Sequence, residues 1–385
     1  MKILHIIASM DPKQGGVSQA VRNIILNNLF CEHEVVCMDG DDIDYGASDV
    51  FTVFKTGPGK TSFKYSPAML KWLKSHLAEY THAVVHGIWQ YHNFAAYKAQ
   101  KELPVDKRPF LSIMPHGMLD PYFQKAKGRK LKALRNDLVW AFTEKKSINT
   151  ADALLFTCQE EMILARETFK GYKPRKEINV GLGVMQPPSQ TPQMHHSFIH
   201  ATGIKGPYWL FLSRLHPKKG IDLLINAYKE YYATDNCIPS LVVAGPLDDE
   251  YALEMKALAA EIPKIVFTGM ISGNIKWGAF YGCNAFILPS YQENFGIAIV
   301  EAMACNKPVV ITRNVNIWRE IINGGGGFLI EEQTPIAVKE ALVGLNALSE
   351  PELKHIGNRA VETYSTTFNL AECAKQFIEK LGDGK

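Results

Sequence analysis

The chain reads as an α/β protein of two domains, each built on a parallel sheet. Three observations predict this: short apolar runs alternate with helical patterns along the chain, 385 residues exceed one typical core, and a polar, proline-rich stretch divides the pattern. Ten runs read as strands: Ile3–Ala8, Glu34–Met38, Ala83–Val85, Phe110–Met114, Ala153–Thr157, Trp209–Ser213, Ser240–Ala244, Ile265–Thr268, Ala285–Leu288 and Val309–Thr312. Most are continuous in Ile, Val, Leu and Phe, as strands covered on both faces must be. Helical spacing falls between them at Ser18–Asn28, Pro67–Glu79, Lys130–Thr150, Ile221–Tyr232, Ala252–Glu261, Ile297–Ala304 and Thr334–Ala347, with a last amphipathic helix at Asn369–Leu381. Strand alternating with helix calls for right-handed crossovers and parallel pairing. Gln186 to His196, with three prolines, is the expected linker.

Composition excludes several classes. A net charge of +3 with no basic stripe interleaved with aromatics gives no footprint for nucleic acid. The seven cysteines are scattered and form no CxxC pair, which suits a reducing compartment. No run approaches the roughly 20 apolar residues of a membrane span. The first residues read as a buried strand and not as an export signal, so a cytoplasmic location is expected.

The most informative segment is Pro289 to Glu301, Pro-Ser-Tyr-Gln-Glu-Asn-Phe-Gly-Ile-Ala-Ile-Val-Glu. It follows a buried strand, so Ser290–Gly296 is a loop at a carboxyl end, where ligands of open α/β sheets sit. Glu293 falls in that loop and Glu301 about one turn into the next helix. Backbone N–H groups at a helix start favour phosphate, whereas carboxylates accept from sugar hydroxyls. Together they suit a molecule carrying both.

Leu212-Ser-Arg-Leu-His-Pro-Lys-Lys-Gly220 supplies the matching cations. Arg214 closes a strand with a planar fork of donors, and Lys219 adds a point charge before a helix, the usual complement to a diphosphate. A solvated turn is the alternative. Gly15-Gly16 after the first strand would let a backbone approach a ligand closely, or serve only as a turn. His116, before Gly117, and His86, before Gly87, are rivals for a hydrogen-bonding role over a substrate, and either reads equally as a structural histidine. The Glu293/Glu301 pair also invites a glycosidase reading. It is disfavoured because nearby cations should lower both carboxyl pKa values. The acidic turns Asp41–Asp44 and Asp248–Asp249 read as solvated, so no metal site is expected.

These motifs resemble the retaining glycosyltransferases of family 4 (glycosyl transferases group 1), of bacterial polysaccharide type. The resemblance rests on Arg214 to Gly220, Val243-Ala-Gly-Pro246 and Val266-Phe-Thr-Gly269. It rests most on Pro289-Ser290, Glu293, Phe295-Gly296 and Glu301-Ala-Met-Ala304, which match the family's E-x7-E element. It implies the GT-B architecture, two facing Rossmann-like domains with parallel sheets. An acceptor-side domain would span 1–190, a donor-binding domain 191–365, and the helix of 366–385 would pack back on the first.

The resemblance also assigns roles. Arg214 and Lys219 hold the donor diphosphate, and Glu293 takes hydroxyls of the moving sugar with help from the backbone of Asn294, Phe295, Gly296 and Ile297. Glu301 binds the ribose, Gly15 and Gly16 approach the phosphate, and His116 contacts the sugar near its 6-hydroxyl. The base lies against Met270 and Ile271. A UDP-sugar, with glucose as the hexose, is the expected donor, no metal or other cofactor is required, and the acceptor is a saccharide or lipid-linked sugar of a surface polysaccharide.

The sequence departs from the family at Val180-Gly-Leu-Gly-Val184, and at Ser213 and Asn294, where glycines are usual. Cys158, beside Glu160 and Glu161, replaces a serine. An epimerase or phosphorylase on the same scaffold, and a non-catalytic sugar-binding protein, are the alternatives. The basic segment of 125–146, with Lys125, Lys127, Arg129, Lys130, Lys132, Arg135, Lys145 and Lys146, carries Leu131, Leu134, Leu138, Trp140 and Phe142. It reads as a solvated helix face or as a peripheral contact with the inner face of an anionic membrane.

Overall fold

The computed structural model describes residues 1–14, 16–28, 30–45, 51–125 and 130–383. The chain divides into two compact units: Met1–Gly183 together with the C-terminal segment from Leu370, and Val184–Asn369. Each is a wholly parallel sheet with helices packed on it.

The first unit holds β1 (Lys2–Ile7), β2 (Glu32–Cys37), β3 (Thr52–Lys55), β4 (His82–His86), β5 (Phe110–Met114), β6 (Ala153–Phe156) and β7 (Glu177–Asn179). They are ordered β3-β2-β1-β4-β5-β6-β7. One face buries Leu4, Ile6, Val36, Val85, Ile113 and Leu154 against helices 67–76, 91–102 and 145–150. On the other face Ile3, Val84, Met114 and Leu155 pack with Phe377 and Leu381 of the helix Leu370–Gly382.

The second unit holds β8 (Tyr208–Leu212), β9 (Ser240–Ala244), β10 (Ile265–Gly269), β11 (Ala285–Leu288), β12 (Val309–Thr312) and β13 (Gly327–Ile330), ordered β10-β9-β8-β11-β12-β13. Its central strands β8 and β11 are buried almost end to end, as parallel strands between two helical layers should be. β8 and β11 are sequence-distant neighbours, and the strand order reverses between β9-β8 and β11-β12. This is the switch point where an α/β sheet opens a crevice at its carboxyl edge.

All ten expected strands are present within a residue or two. The three that were not expected, β3, β7 and β13, all lie at sheet edges, where residues are half-exposed and apolar runs are short. The expected linker differs more. Thr191 caps and Pro192 opens a helix, Pro192–Thr202, so the second half of the proline-rich stretch is ordered structure of the second unit. Proline suits the first helical position because that N–H lacks a partner in any case. The long helix expected over 130–150 is interrupted by a π-helical stretch, Trp140–Glu144.

Candidate functional site

The second unit gathers its candidate residues on the loops after β8, β10 and β11. β8 ends at Leu212, and the Ser213 N–H donates to the Ala244 carbonyl at 3.0 Å. A side chain at Gly245 would come within 2.1 Å of the Ser213 carbonyl, so glycine lets the loop after β9 pass against this turn. Arg214 follows, exposed, with no hydrogen bond or ion pair among the described residues.

The turn Pro217–Lys219 is capped by His216, whose Nδ1 accepts from the Lys218 N–H at 3.2 Å. Gly220 then adopts φ +66°, and a Cβ there would lie 2.0 Å from the Pro289 carbonyl. Only glycine satisfies both conditions. The Lys218 carbonyl accepts from the N–H groups of Tyr291 (2.8 Å) and Gln292 (3.3 Å), which locks this turn to the loop after β11.

The interlock brings Lys219 and Glu293 together, 74 residues apart in sequence, as a largely buried ion pair. The Glu293 backbone is held on both sides: its N–H donates to the Asn314 carbonyl at 2.8 Å, and its carbonyl accepts from the Asn316 N–H at 2.9 Å. Asn316 also donates to the Asn294 side chain at 3.2 Å. Phe295 is buried edge-on against Phe368 at 5.7 Å, and Gly296, at φ +78°, turns the chain into the helix Ile297–Ala304. Ile297 stands exposed at the helix start, where unpaired N–H groups point outward.

Glu301, the fifth residue of that helix, is ion-paired with Lys276 at 2.6 Å. Lys276 comes from the helix Gly273–Gly282 and lies over the Trp277 ring at 4.6 Å. Burial raises the Glu301 pKa, and the Lys276 ammonium only partly opposes it. The expectation that nearby cations lower both carboxyls therefore fails at Glu301, because removal from water outweighs one close charge. Before this helix, β10 ends at Gly269 with φ +73°, Met270 is 80% exposed, and Ile271 is half-buried.

In the first unit, Gly16 begins the helix Gly16–Leu26, and a Cβ at Gly16 would meet nothing within 4 Å. Internal packing therefore does not require glycine there. Gly15 lies outside the described residues. His116 and Gly117 follow β5 with φ +52° and +80°. A buried carboxylate holds this turn: Glu161 accepts from the Gly117 N–H at 2.5 Å, and from the Thr157 N–H and hydroxyl at 2.8 and 2.5 Å. Cys158 caps the helix that carries Glu161, as a serine would. His86 and His116 are not alternatives: their rings share a hydrogen bond of 3.1 Å. Burial lowers the His116 pKa to about 4, so the ring is neutral near pH 7.

Sequence reading missed Lys276 and the role of Glu161. No periodic apolar pattern marks Gly273–Gly282, which contains three glycines, and nothing in the local sequence ties Glu161 to Gly117. Among the described residues no group of three or more His, Cys, Asp or Glu is arranged to hold a metal. Asp249 caps the helix Glu250–Leu258, accepting from the Ala252 N–H at 2.7 Å.

The segments after β8, β10 and β11 thus bring two lysine–glutamate pairs, and an arginine with no hydrogen bond or ion pair among the described residues, to the carboxyl side of the second sheet. Residues 195–361, which lie within the second unit, match the family described as Glycosyl transferases group 1. It is 28% identical over 179 residues to an uncharacterized glycosyltransferase of Methanocaldococcus jannaschii, covering 46% of this chain and 49% of that one. It is 27% identical over 157 residues to the capsular polysaccharide biosynthesis glycosyltransferase CapM of Staphylococcus aureus, covering 40% of each. The chain thus spans about half, or less, of the length of these curated relatives. Its fold is similar to that of Anabaena HepE in complex with UDP-glucose, with a TM-score of 0.73 and 20% identity over the full length of both chains.

Proposed function

We propose that the chain is a retaining hexosyltransferase that moves a sugar, glucose as the first candidate, from a UDP-sugar to a saccharide or lipid-linked acceptor in surface polysaccharide synthesis. The observation that carries this reading is the interlock of the 217–220 turn with the 289–296 loop. It sets Lys219 beside Glu293 and leaves Arg214, after the end of β8, without a partner among the described residues. Matching to the group 1 family and likeness in fold to a protein whose structure holds UDP-glucose support the choice of donor.

In this reading Arg214 and Lys219 neutralise the diphosphate as the bond from the sugar C1 to its oxygen breaks. Donors fixed where charge develops commonly contribute a few kcal/mol each. The acceptor oxygen bonds to C1 on the same face, and its proton passes to the leaving phosphate. Glu293 accepts from sugar hydroxyls, exchanging part of its pairing with Lys219 for them. Glu301, oriented by Lys276, accepts from the ribose, and the backbone at Met270 and Ile271 takes the base. With cations already in place, turnover needs no metal. Incubating the protein with UDP- and GDP-sugars, with and without polysaccharide or lipid-linked acceptors and with a chelator present, should release nucleotide from a UDP-sugar. No release from any donor would sink the proposal.

A membrane contact has its own support. Leu131, Leu134, Leu138 and Phe142 are 53–84% exposed along one side of the basic segment, whereas Trp140 is buried, stacked on Phe169. Lys130, Lys132 and Arg135 flank that apolar stripe; Lys127 and Arg129 lie outside the described residues. An apolar stripe edged by cations suits an anionic bilayer surface. The protein should co-sediment with vesicles containing anionic lipid and not with purely zwitterionic ones, and Leu131→Glu with Phe142→Glu should abolish it. No helix among the described residues is long and apolar enough to cross a membrane.

A further inference from the structure

Four histidines cross the first sheet in a staircase. His33 on β2 pairs in register with Ile3, and His5 lies two residues further along β1. His5 pairs with Val84, and His86 lies two residues further along β4. His86 pairs with Met114, and His116 follows two residues later. A step of two along a strand keeps His33, His5 and His86 on one face, and the turn after β5 brings His116 onto His86, so the four rings climb diagonally toward the carboxyl edge. They touch in sequence: His33 Nδ1 and His5 Nε2 at 3.0 Å, His5 Nδ1 and His86 Nε2 at 2.9 Å, His86 Nδ1 and His116 Nε2 at 3.1 Å. The staircase runs between two apolar clusters, with Ile3, Val84 and Met114 on one side and Ile7 and Val35 on the other.

The far end sets the direction of the whole chain. His33 Nε2 lies 3.2 Å from the Asn28 carbonyl, which can only accept. A neutral imidazole has one N–H, so His33 must donate there and accept at Nδ1. His5 must then donate through Nε2, and the same logic passes through His86 to His116. All four rings are forced into the Nε2–H tautomer. Burial lowers the pKa of each, which keeps the chain neutral. His116 is left with a bare Nδ1 that has no partner among the described residues.

We propose that His33, His5 and His86 are positioning residues that present His116 to a substrate hydroxyl as a hydrogen-bond acceptor, through an Nδ1 kept unprotonated by the ladder. The direction of the ladder stands on the first unit alone; its use by a sugar hydroxyl rests on the transferase reading.

The test uses the full chain with ¹⁵N-labelled histidine. Ring-nitrogen spectra at neutral pH should show His5, His33, His86 and His116 as Nε2–H tautomers. His33→Lys offers donors only, so each ring must reverse and His116 should become Nδ1–H, although residue 33 lies about 15 Å away by three strand spacings. His33→Gln can accept from His5 and donate to Asn28, and should keep the original direction. With UDP-glucose as donor, kcat/KM should fall roughly tenfold in His33→Lys, the loss of about one hydrogen bond, and stay within about twofold in His33→Gln. A wild-type His116 carrying its proton on Nδ1 overturns the ladder, and so does a His33→Lys spectrum with all tautomers unchanged. If His33→Lys fails to fold, the wild-type and His33→Gln spectra still decide the direction. Reversed tautomers with unchanged kcat/KM overturn the substrate role, whereas no turnover in any form sinks the transferase reading and leaves the tautomers to judge the ladder.

Discussion

Arg214 and Lys219 are five residues apart and occupy opposite electrostatic circumstances. Arg214 is exposed and unpaired among the described residues, so Arg214→Ala should change stability by less than about 0.5 kcal/mol while lowering kcat/KM by roughly 10²–10³. Thermal melts and donor kinetics on one preparation check both halves. Lys219 is 7% exposed and paired, so its removal strands Glu293 and should destabilise the fold as well as the reaction. Lys276→Ala leaves Glu301 buried without its cation, which raises a carboxyl pKa that burial already holds up. A carboxyl with a raised folded pKa contributes stability below its unfolded pKa that is lost as pH rises through the folded value. Lys276→Ala should therefore lose more Tm, relative to the parent, at pH 8 than at pH 5. An equal loss at both would show that Glu301 does not titrate as described. The cations at 214 and 219 and both glutamates were legible because residue type and spacing announce them. Lys276 was not, because its relation to Glu301 is made only by the packing of two helices.

At the scale of elements, the sequence showed whatever burial makes periodic. Central strands such as β8 and β11 are apolar throughout, whereas β7, Glu-Ile-Asn, gives no signal and forms only because β6 offers it an edge. Gly220 shows the same limit. It reads as an ordinary turn glycine, but its place under Pro289 joins two loops. Gly220→Ala must strain φ and push on a carbonyl, and should cost at least about 2 kcal/mol. Unchanged Tm in that variant would show that the interlock tolerates separation. The π-helical stretch supplies a second case. It carries Glu144, buried beside Asn93 and accepting from the Trp89 N–H at 3.3 Å, with a pKa pushed up to about 7 by burial. Its folded pKa lies above the unfolded value, so the stability it contributes is complete below about pH 4.5 and lost as pH rises through about 7. Glu144→Gln should flatten that part of the pH–stability curve and equal or exceed the parent at pH 8. A slope identical to the parent's would assign the pH dependence to other groups.

At the scale of the molecule, the alternation of strands and helices was enough to give two parallel sheets, and the motifs after β8 and β11 were enough to point to the family whose model matches residues 195–361. The four-histidine ladder was invisible because its members lie far apart in sequence and meet only through the register of four strands. The central claim is that the crevice of the second unit grips a nucleoside diphosphate through Arg214, Lys219 and Glu301. Titration of UDP into the parent, Arg214→Ala and Glu301→Ala by calorimetry, without added metal, tests it most directly. The parent should bind UDP, and each substitution should weaken binding tenfold or more, about 1.4 kcal/mol. Failure of the parent to bind, or equal affinity in all three proteins, would contradict it.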